Sequence, residues 1–159
     1  NLKKEAQNRG IDQNRLIFAE KLSQEEHLAR HKLADLFLDT FNVNAHTTAS
    51  DALWSGLPVV TKLGKGFAAR VAGSLLNAVG MPELITENEK DYETLIFDIA
   101  SNPRKILKLK EKLISNRLSQ PLFNSEKYTK YLENGYKKIY QLHVKGYKPQ
   151  TIYVDSKNN

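Results

Sequence analysis

Residues 36–62, LFLDTFNVNAHTTASDALWSGLPVVTK, decide the fold. Two short runs that are almost continuously apolar, LFLDT (36–40) and PVVTK (58–62), bracket a polar loop, a segment with helix-opening residues and a turn glycine. Short apolar runs of this kind read as strands covered on both faces, because strands with one wet face alternate instead. A helix between two of them is a βα unit feeding a parallel sheet.

Working outward, the same alternation continues. LIFAE (16–20) and ELIT (83–86) read as further strands, and amphipathic periodicity predicts helices over 2–9, 24–31, 47–55, 67–79 and 90–101. Segments 103–117 and 125–143 are helical with no strand between them, so the chain ends in a helical pair. The boundaries carry their own chemistry. Ser23 ahead of QEEH supplies a capping hydroxyl and early acids, Pro103 opens a helix, Gly80 with Met81 and Pro82 stops one, and Asn124 or Ser125 starts the last. The fold class expected is α/β: a Rossmann-like parallel sheet flanked by helices, with one domain over 1–145. A polar tail, 146–159, is expected to be extended or disordered.

Composition narrows the partners. The 159 residues carry a net charge of +6 and no cysteine, which excludes disulfides and thiolate metal sites and permits a reducing compartment. From Arg104 to Lys148 twelve Lys or Arg face three acids, Glu111, Glu126 and Glu133. Such a run serves nucleic acid, an anionic surface or a phosphorylated ligand, but on helices it more commonly forms a solvated face. Tyr128, Tyr131, Tyr136 and Tyr140 interleave with these lysines, as in single-strand binding, and equally as the packing stripe of an amphipathic helix. The packing reading is preferred, and nucleic acid is not an expected partner. No apolar stretch approaches the ~20 residues of a membrane span, so a soluble, cytoplasmic protein is expected. The chain opens at Asn1, without methionine, inside a helical pattern, and is expected to be a piece of a longer protein.

In an open α/β sheet the turn from a strand's carboxyl end into the next helix is where ligands bind. Here that turn leads to His46, Thr47 and Thr48. Free amides at a helix start favour phosphate, and two threonine hydroxyls add donors without bulk. Asp51 lies four residues after Thr47 on the same face. A carboxylate would repel a phosphate held against it, so it suits a neutral diol such as ribose. His46 adds a donor for diphosphate oxygens. Together these describe a nucleoside diphosphate site, set against the plain alternative of a capped helix start. His27 and Arg30, three residues apart, sit one turn into the helix after LIFAE at the same sheet edge, where the ring could stack on a base. Their bland reading is an exposed helix with ordinary charge pairs. Gly64 and Gly66, with Lys65 and Arg70 nearby, match no phosphate-loop pattern and read as a strand-to-helix turn. His31 and His143 show no convergent partners, and neither a metal cluster nor a nucleophilic triad is visible.

The run HLARHKLADLFLDTFNVNAHTTASDALWSGLPVVTKLGKGFAARVAGSLLNAVGMPELI, followed by DYETL and SQPLFNSEKYTKYLENGYKKIY, resembles the C-terminal half of the catalytic region of the O-linked N-acetylglucosamine transferase family, tetratricopeptide-linked enzymes that include Spindly-like proteins. The resemblance runs from about Asn1 to about Tyr140 and rests on LADLFLDT, HTTASDALWSGLPVVT and PLFN in that order. It implies the second domain of a two-Rossmann, B-type glycosyltransferase, with the UDP-sugar donor as ligand and no further cofactor. It implies that His27 packs on uracil with Arg30 nearby, that His46, Thr47 and Thr48 hold the diphosphate, and that Asp51 holds the ribose. Many members carry a lysine three residues before the histidine; this chain has Gln24 there, which alters the base or ribose contact. The implied reaction is inverting transfer from UDP-N-acetylglucosamine to a protein Ser or Thr hydroxyl. Its partners are the N-terminal catalytic half and tetratricopeptide repeats. These residues alone are expected to fold, bind UDP weakly and transfer no sugar. A diverged, inactive scaffold keeping the fold for protein contacts is the alternative.

Overall fold

The computed structural model describes residues 1–154. Its elements are α1 (Leu2–Asn8), α2 (Gln24–Arg30), β1 (Phe37–Leu38), α3 (Thr47–Trp54), β2 (Val59–Lys62), α4 (Val71–Ala78), β3 (Ile85–Thr86), α5 (Glu89–Ala100), α6 (Pro103–Ser119) and α7 (Ser125–Val144), with short 3₁₀ turns between several of them. The strands form one open parallel sheet in the order β1-β2-β3. Phe37 stands opposite Val59 and Leu38 opposite Val60, while Thr61 pairs with Ile85 and Lys62 with Thr86.

The central strand shows why its sequence does not alternate. Val59 and Val60 are consecutive, so their side chains point to opposite faces, yet both are fully buried. Helices therefore cover the sheet on both sides, as a parallel sheet requires. The core around β2 collects Ala52 and Leu53 from α3, Leu76 from α4, Tyr92 and Ile99 from α5 and Leu113 from α6. On α3 the buried positions Ala49, Ala52 and Leu53 fall at helical spacing on one stripe. That helix ends at Gly56, whose φ of +87° lets the chain reverse into β2 where an L side chain would be strained.

Several expected elements differ in extent. The expected helix over 67–79 is a 3₁₀ turn, Phe67–Ala69, followed by α4, and ELIT is a 3₁₀ turn, Pro82–Leu84, ahead of the two-residue β3. The expected strand LIFAE is not in the sheet: residues 16–20 carry no regular element, and Ile17 and Phe18 are 89% and 62% exposed. An apolar run becomes a strand only with a ladder partner and a covered face, and the described residues place neither beside it. On α7 only Gly135 is buried, and its apolar stripe (Tyr128, Leu132, Tyr136, Ile139, Tyr140, Val144) faces outward. Residues 147–154 form no helix or strand and return along α7, where Lys138 Nζ donates to the Tyr153 carbonyl at 3.0 Å. The remainder of the expected tail, 155–159, lies outside the described residues. Among the described residues no helix is long and apolar enough to cross a membrane.

Candidate functional site

The site assembles at the carboxyl edge of the sheet, where the 39–46 loop leaves β1 and the 63–70 loop leaves β2. α3 opens directly into it. Its first intrahelical bond runs from Ser50 N to His46 O, and no side chain caps the first turn. By helix geometry the amides of Thr47, Thr48 and Ala49 point past the helix end. Thr47 and Thr48 are exposed, and His46 and Asp51 are half-buried. These groups lie neither in the core nor beneath another element.

α2 brings its polar face alongside. The Ser23 capping box holds the helix start, with Ser23 Oγ accepting from Glu26 N and Glu26 Oε2 accepting from Ser23 N. Gln24 is the first helical residue, and one turn later His27 Nε2 lies 3.9 Å from Asp51 Oδ2. The two side chains retain 29% and 28% of their exposure, which leaves both open to a ligand. Arg30 supports the histidine: one guanidinium nitrogen donates to His27 Nδ1 at 2.7 Å and the other to the Glu20 carbonyl at 2.7 Å. A guanidinium has only protons to give, so His27 Nδ1 is the acceptor and the ring proton sits on Nε2, facing Asp51. His31, expected to have no convergent partner, packs edge-on against His27 with ring centroids 4.7 Å apart and bonds the His27 carbonyl through Nδ1. His27 is thus fixed from two sides while its Nε2 edge stays free.

His46 is held from the other loop. Its Nε2 lies 3.3 Å from the Ala68 carbonyl, which also accepts from Asn44 N, and its ring meets Phe67 edge-on at 6.1 Å. A carbonyl only accepts, so Nε2 carries a proton, and His46 becomes a second donor toward a phosphate only as an imidazolium. The wall bearing Ala68 is pinned to β2 by Gly64, whose amide donates to Ala69 O; a Cβ on Gly64 would stand 2.4 Å from the Ala69 methyl. Arg70 donates to Gly64 O at 3.0 Å, so Gly64 belongs to a packed turn, while Gly66 is exposed with open space beside it.

Three further residues shape the edge without having been singled out from sequence. Asp39, the residue after β1, is 4% exposed. Its Oδ1 accepts from Thr40 N at 2.9 Å and Ala45 N at 2.6 Å, and its Oδ2 accepts from Thr61 Oγ1 at 2.6 Å. Tyr92 on α5 donates its hydroxyl to the Asp39 carbonyl at 2.8 Å; burial first, and the Asp39 charge second, hold that phenol above its ordinary 10.0. The available signal was a charged or hydroxyl residue inside an otherwise apolar strand, Asp39 in LFLDT and Thr61 in PVVTK.

Residues 1–132 match the family model described as glycosyl transferase family 41. A probable UDP-N-acetylglucosamine–peptide N-acetylglucosaminyltransferase of Arabidopsis thaliana, SEC, is 38% identical over 146 residues, covering 91% of this chain and 15% of its own length. The UDP-N-acetylglucosamine–peptide N-acetylglucosaminyltransferase of Caenorhabditis elegans is 36% identical over 126 residues, 79% of this chain and 11% of that protein. Among solved structures, a point variant of the Thermobaculum terrenum O-GlcNAc transferase superposes with a TM-score of 0.80 at 28% identity, over 86% of this chain and 26% of the other. The chain therefore spans a minor part of the length of each of these proteins.

Proposed function

This chain belongs to glycosyl transferase family 41, and from that premise we propose that it is the UDP-sugar-binding part of an inverting protein O-glycosyltransferase that moves N-acetylglucosamine from UDP-N-acetylglucosamine to Ser or Thr hydroxyls. The observation that carries the reading is the approach of His27 on α2 to Asp51 on α3, 3.9 Å apart, beside the uncapped start of α3. In this reading uracil packs on the fixed His27 ring, Asp51 accepts the ribose hydroxyls, and the diphosphate lies against the amides of Thr47, Thr48 and Ala49. The Thr47 and Thr48 hydroxyls and the His46 ring add donors.

The acceptor hydroxyl attacks the anomeric carbon on the face opposite UDP. The bond from that carbon to the β-phosphate oxygen breaks, the acceptor loses its proton, and the departing oxygen takes the electron pair. Donors already aimed at the diphosphate stabilise that charge without reorganising. The reading places acceptor recognition and proton removal in the N-terminal catalytic half, assigns tetratricopeptide repeats and a cytoplasmic location to the full-length protein, and leaves residues 1–159 alone with UDP binding and no transfer. Support comes from the activity for which the relatives are named and from the site geometry.

Calorimetric titration with UDP tests it. Binding is expected, weakened by Asp51→Ala and by His46→Ala; heats that survive both substitutions unchanged rule out the site. Gln24, standing where many family members carry lysine, favours a second reading as a non-catalytic scaffold. Turnover of UDP-N-acetylglucosamine by the full-length protein separates the two.

A further inference from the structure

We infer that Asp39 is a positioning residue for the diphosphate, acting through the 40–45 loop on the amides that open α3; the inference rests on the proposed UDP-sugar site. A carboxylate that is 4% exposed is costly to bury, and here it is compensated by three donors from two different elements. Two of the three are amides of the loop it anchors. Ala45, the far one, immediately precedes His46, which occupies the N-cap position of α3 without a side-chain capping bond. The third, Thr61 Oγ1, belongs to β2, whose own carbonyl accepts from Thr86 Oγ1 on β3 at 3.0 Å. A continuous path of hydrogen bonds thus runs from β3 through β2 and Asp39 to the helix start. Tyr92 closes it from α5 by fixing the Asp39 carbonyl.

Besides Asp39, the loop it spans is held near its start by Phe41, which packs against the core, meets the Tyr92 ring edge-on at 5.0 Å and carries Lys62 Nζ 4.1 Å over its ring. Residues 40–45 have no regular structure, and their other bonds are short-range, Thr40 Oγ1 to Val43 O and Asn44 Nδ2 to Thr40 O, apart from Asn44 N to Ala68 O. Asp39, through Ala45 N and together with the Asn44 N bond to Ala68 O, therefore ties the helix-proximal end of the loop and with it the direction of the α3 amides. The orientation of donors is what a helix start contributes to a leaving diphosphate, and small misplacements are costly.

The sign of one substitution separates positioning from simple charge. Asp39→Asn keeps the shape but removes a negative charge bonded to Ala45 N, two residues before the first of the phosphate-facing amides. By Coulomb attraction alone UDP would then bind more tightly. Positioning predicts the reverse, because an amide nitrogen cannot accept from Thr61 Oγ1 and the remaining oxygen loses its charge-assisted bonds.

The test compares UDP with uridine in the full-length protein, wild type against Asp39→Asn, Thr61→Val and Thr61→Ser. Asp39→Asn is expected to lower the UDP-to-uridine affinity ratio about tenfold, the equivalent of one charge-assisted hydrogen bond. Thr61→Val, which keeps the charge, should move the ratio the same way, and Thr61→Ser, which keeps the hydroxyl, should restore it. Amide exchange in the ligand-free protein gives a readout independent of UDP: Asp39→Asn should speed exchange over residues 44–50 and leave α6 unchanged. An unchanged or raised ratio, or exchange quickened uniformly through the core, overturns the inference. Failure of wild type to bind UDP sinks the parent reading, and the exchange pattern then still decides whether Asp39 sets the helix start.

Discussion

Asp51→Asn probes the ribose contact most directly. Its Oδ2 stands 3.9 Å from His27 Nε2, beyond hydrogen-bonding range, so the carboxylate holds acceptor capacity that the protein leaves free. Two vicinal hydroxyls would use both oxygens. Asparagine keeps the shape, turns one acceptor into a donor and removes the charge from the other. A hydrogen bond to a charged group is worth roughly 1.5–3 kcal/mol. With the side chain 28% exposed, water competes for it and the lower end applies, so UDP affinity should fall about tenfold. The backbone is not at stake, since the Asp51 carbonyl accepts from Ser55 N in either variant.

Isothermal titration with UDP and with 2′,3′-dideoxy-UDP completes a cycle. The wild type should lose about the same factor on losing the diol, and Asp51→Asn should lose little more with the dideoxy ligand, since both changes remove one interaction. Equal weakening of both ligands by Asp51→Asn would refute the ribose assignment, because the carboxylate would then act on something other than the sugar hydroxyls.

Two stability predictions follow from the core. Leu113→Ala on α6 empties a fully buried position and should cost about 2–5 kcal/mol, read as a lower denaturant midpoint with an unchanged slope. Tyr92→Phe removes the bond to Asp39 O and should cost about 1 kcal/mol near neutrality. The Tyr92 phenol is raised in the folded state, so its contribution is fully present below the unfolded value of 10.0 and is lost as pH rises through the folded one. Denaturation curves of wild type and Tyr92→Phe should therefore converge above 10.0; a constant gap would mean that the phenol titrates alike in both states.

Legibility in the sequence followed the range of the interaction. The βα unit across 36–62 was readable because strand burial and helix capping leave local marks, and β1, α3 and β2 lie within the expected segments. The Ser23 cap and the Gly56 turn were readable for the same reason. LIFAE carried the same apolar signal as PVVTK, but a strand also needs a neighbour, which no local pattern supplies. Proximity of His27 to Asp51 was expected only as a shared sheet edge; their spacing of 3.9 Å is a product of tertiary packing between α2 and α3. Asp39 illustrates the limit best, since its partners lie 1, 6 and 22 residues away and only the first is local.

Charge at the site is organised differently from charge in the chain as a whole. In the basic C-terminal third, four cations of α6 have partners elsewhere: Lys105 pairs with Asp98, Lys110 with Asp35 and Lys112 with Glu83, while Arg117 donates to the Trp54 carbonyl and lies over its ring. None of these cations reaches the start of α3. At the candidate site Arg30 is committed to His27 and Glu20, Lys62 to Glu89 at 3.0 Å and the Phe41 ring, and Asp51 brings a negative charge. Facing a diphosphate there are oriented amides, two hydroxyls and the His46 ring, with Lys65 and Arg70 on the loop leaving β2. Amide and hydroxyl donors act through direction and short range, so a displaced helix start cannot be offset by surface charge elsewhere. The fold accordingly anchors that start to the sheet through buried hydrogen bonds.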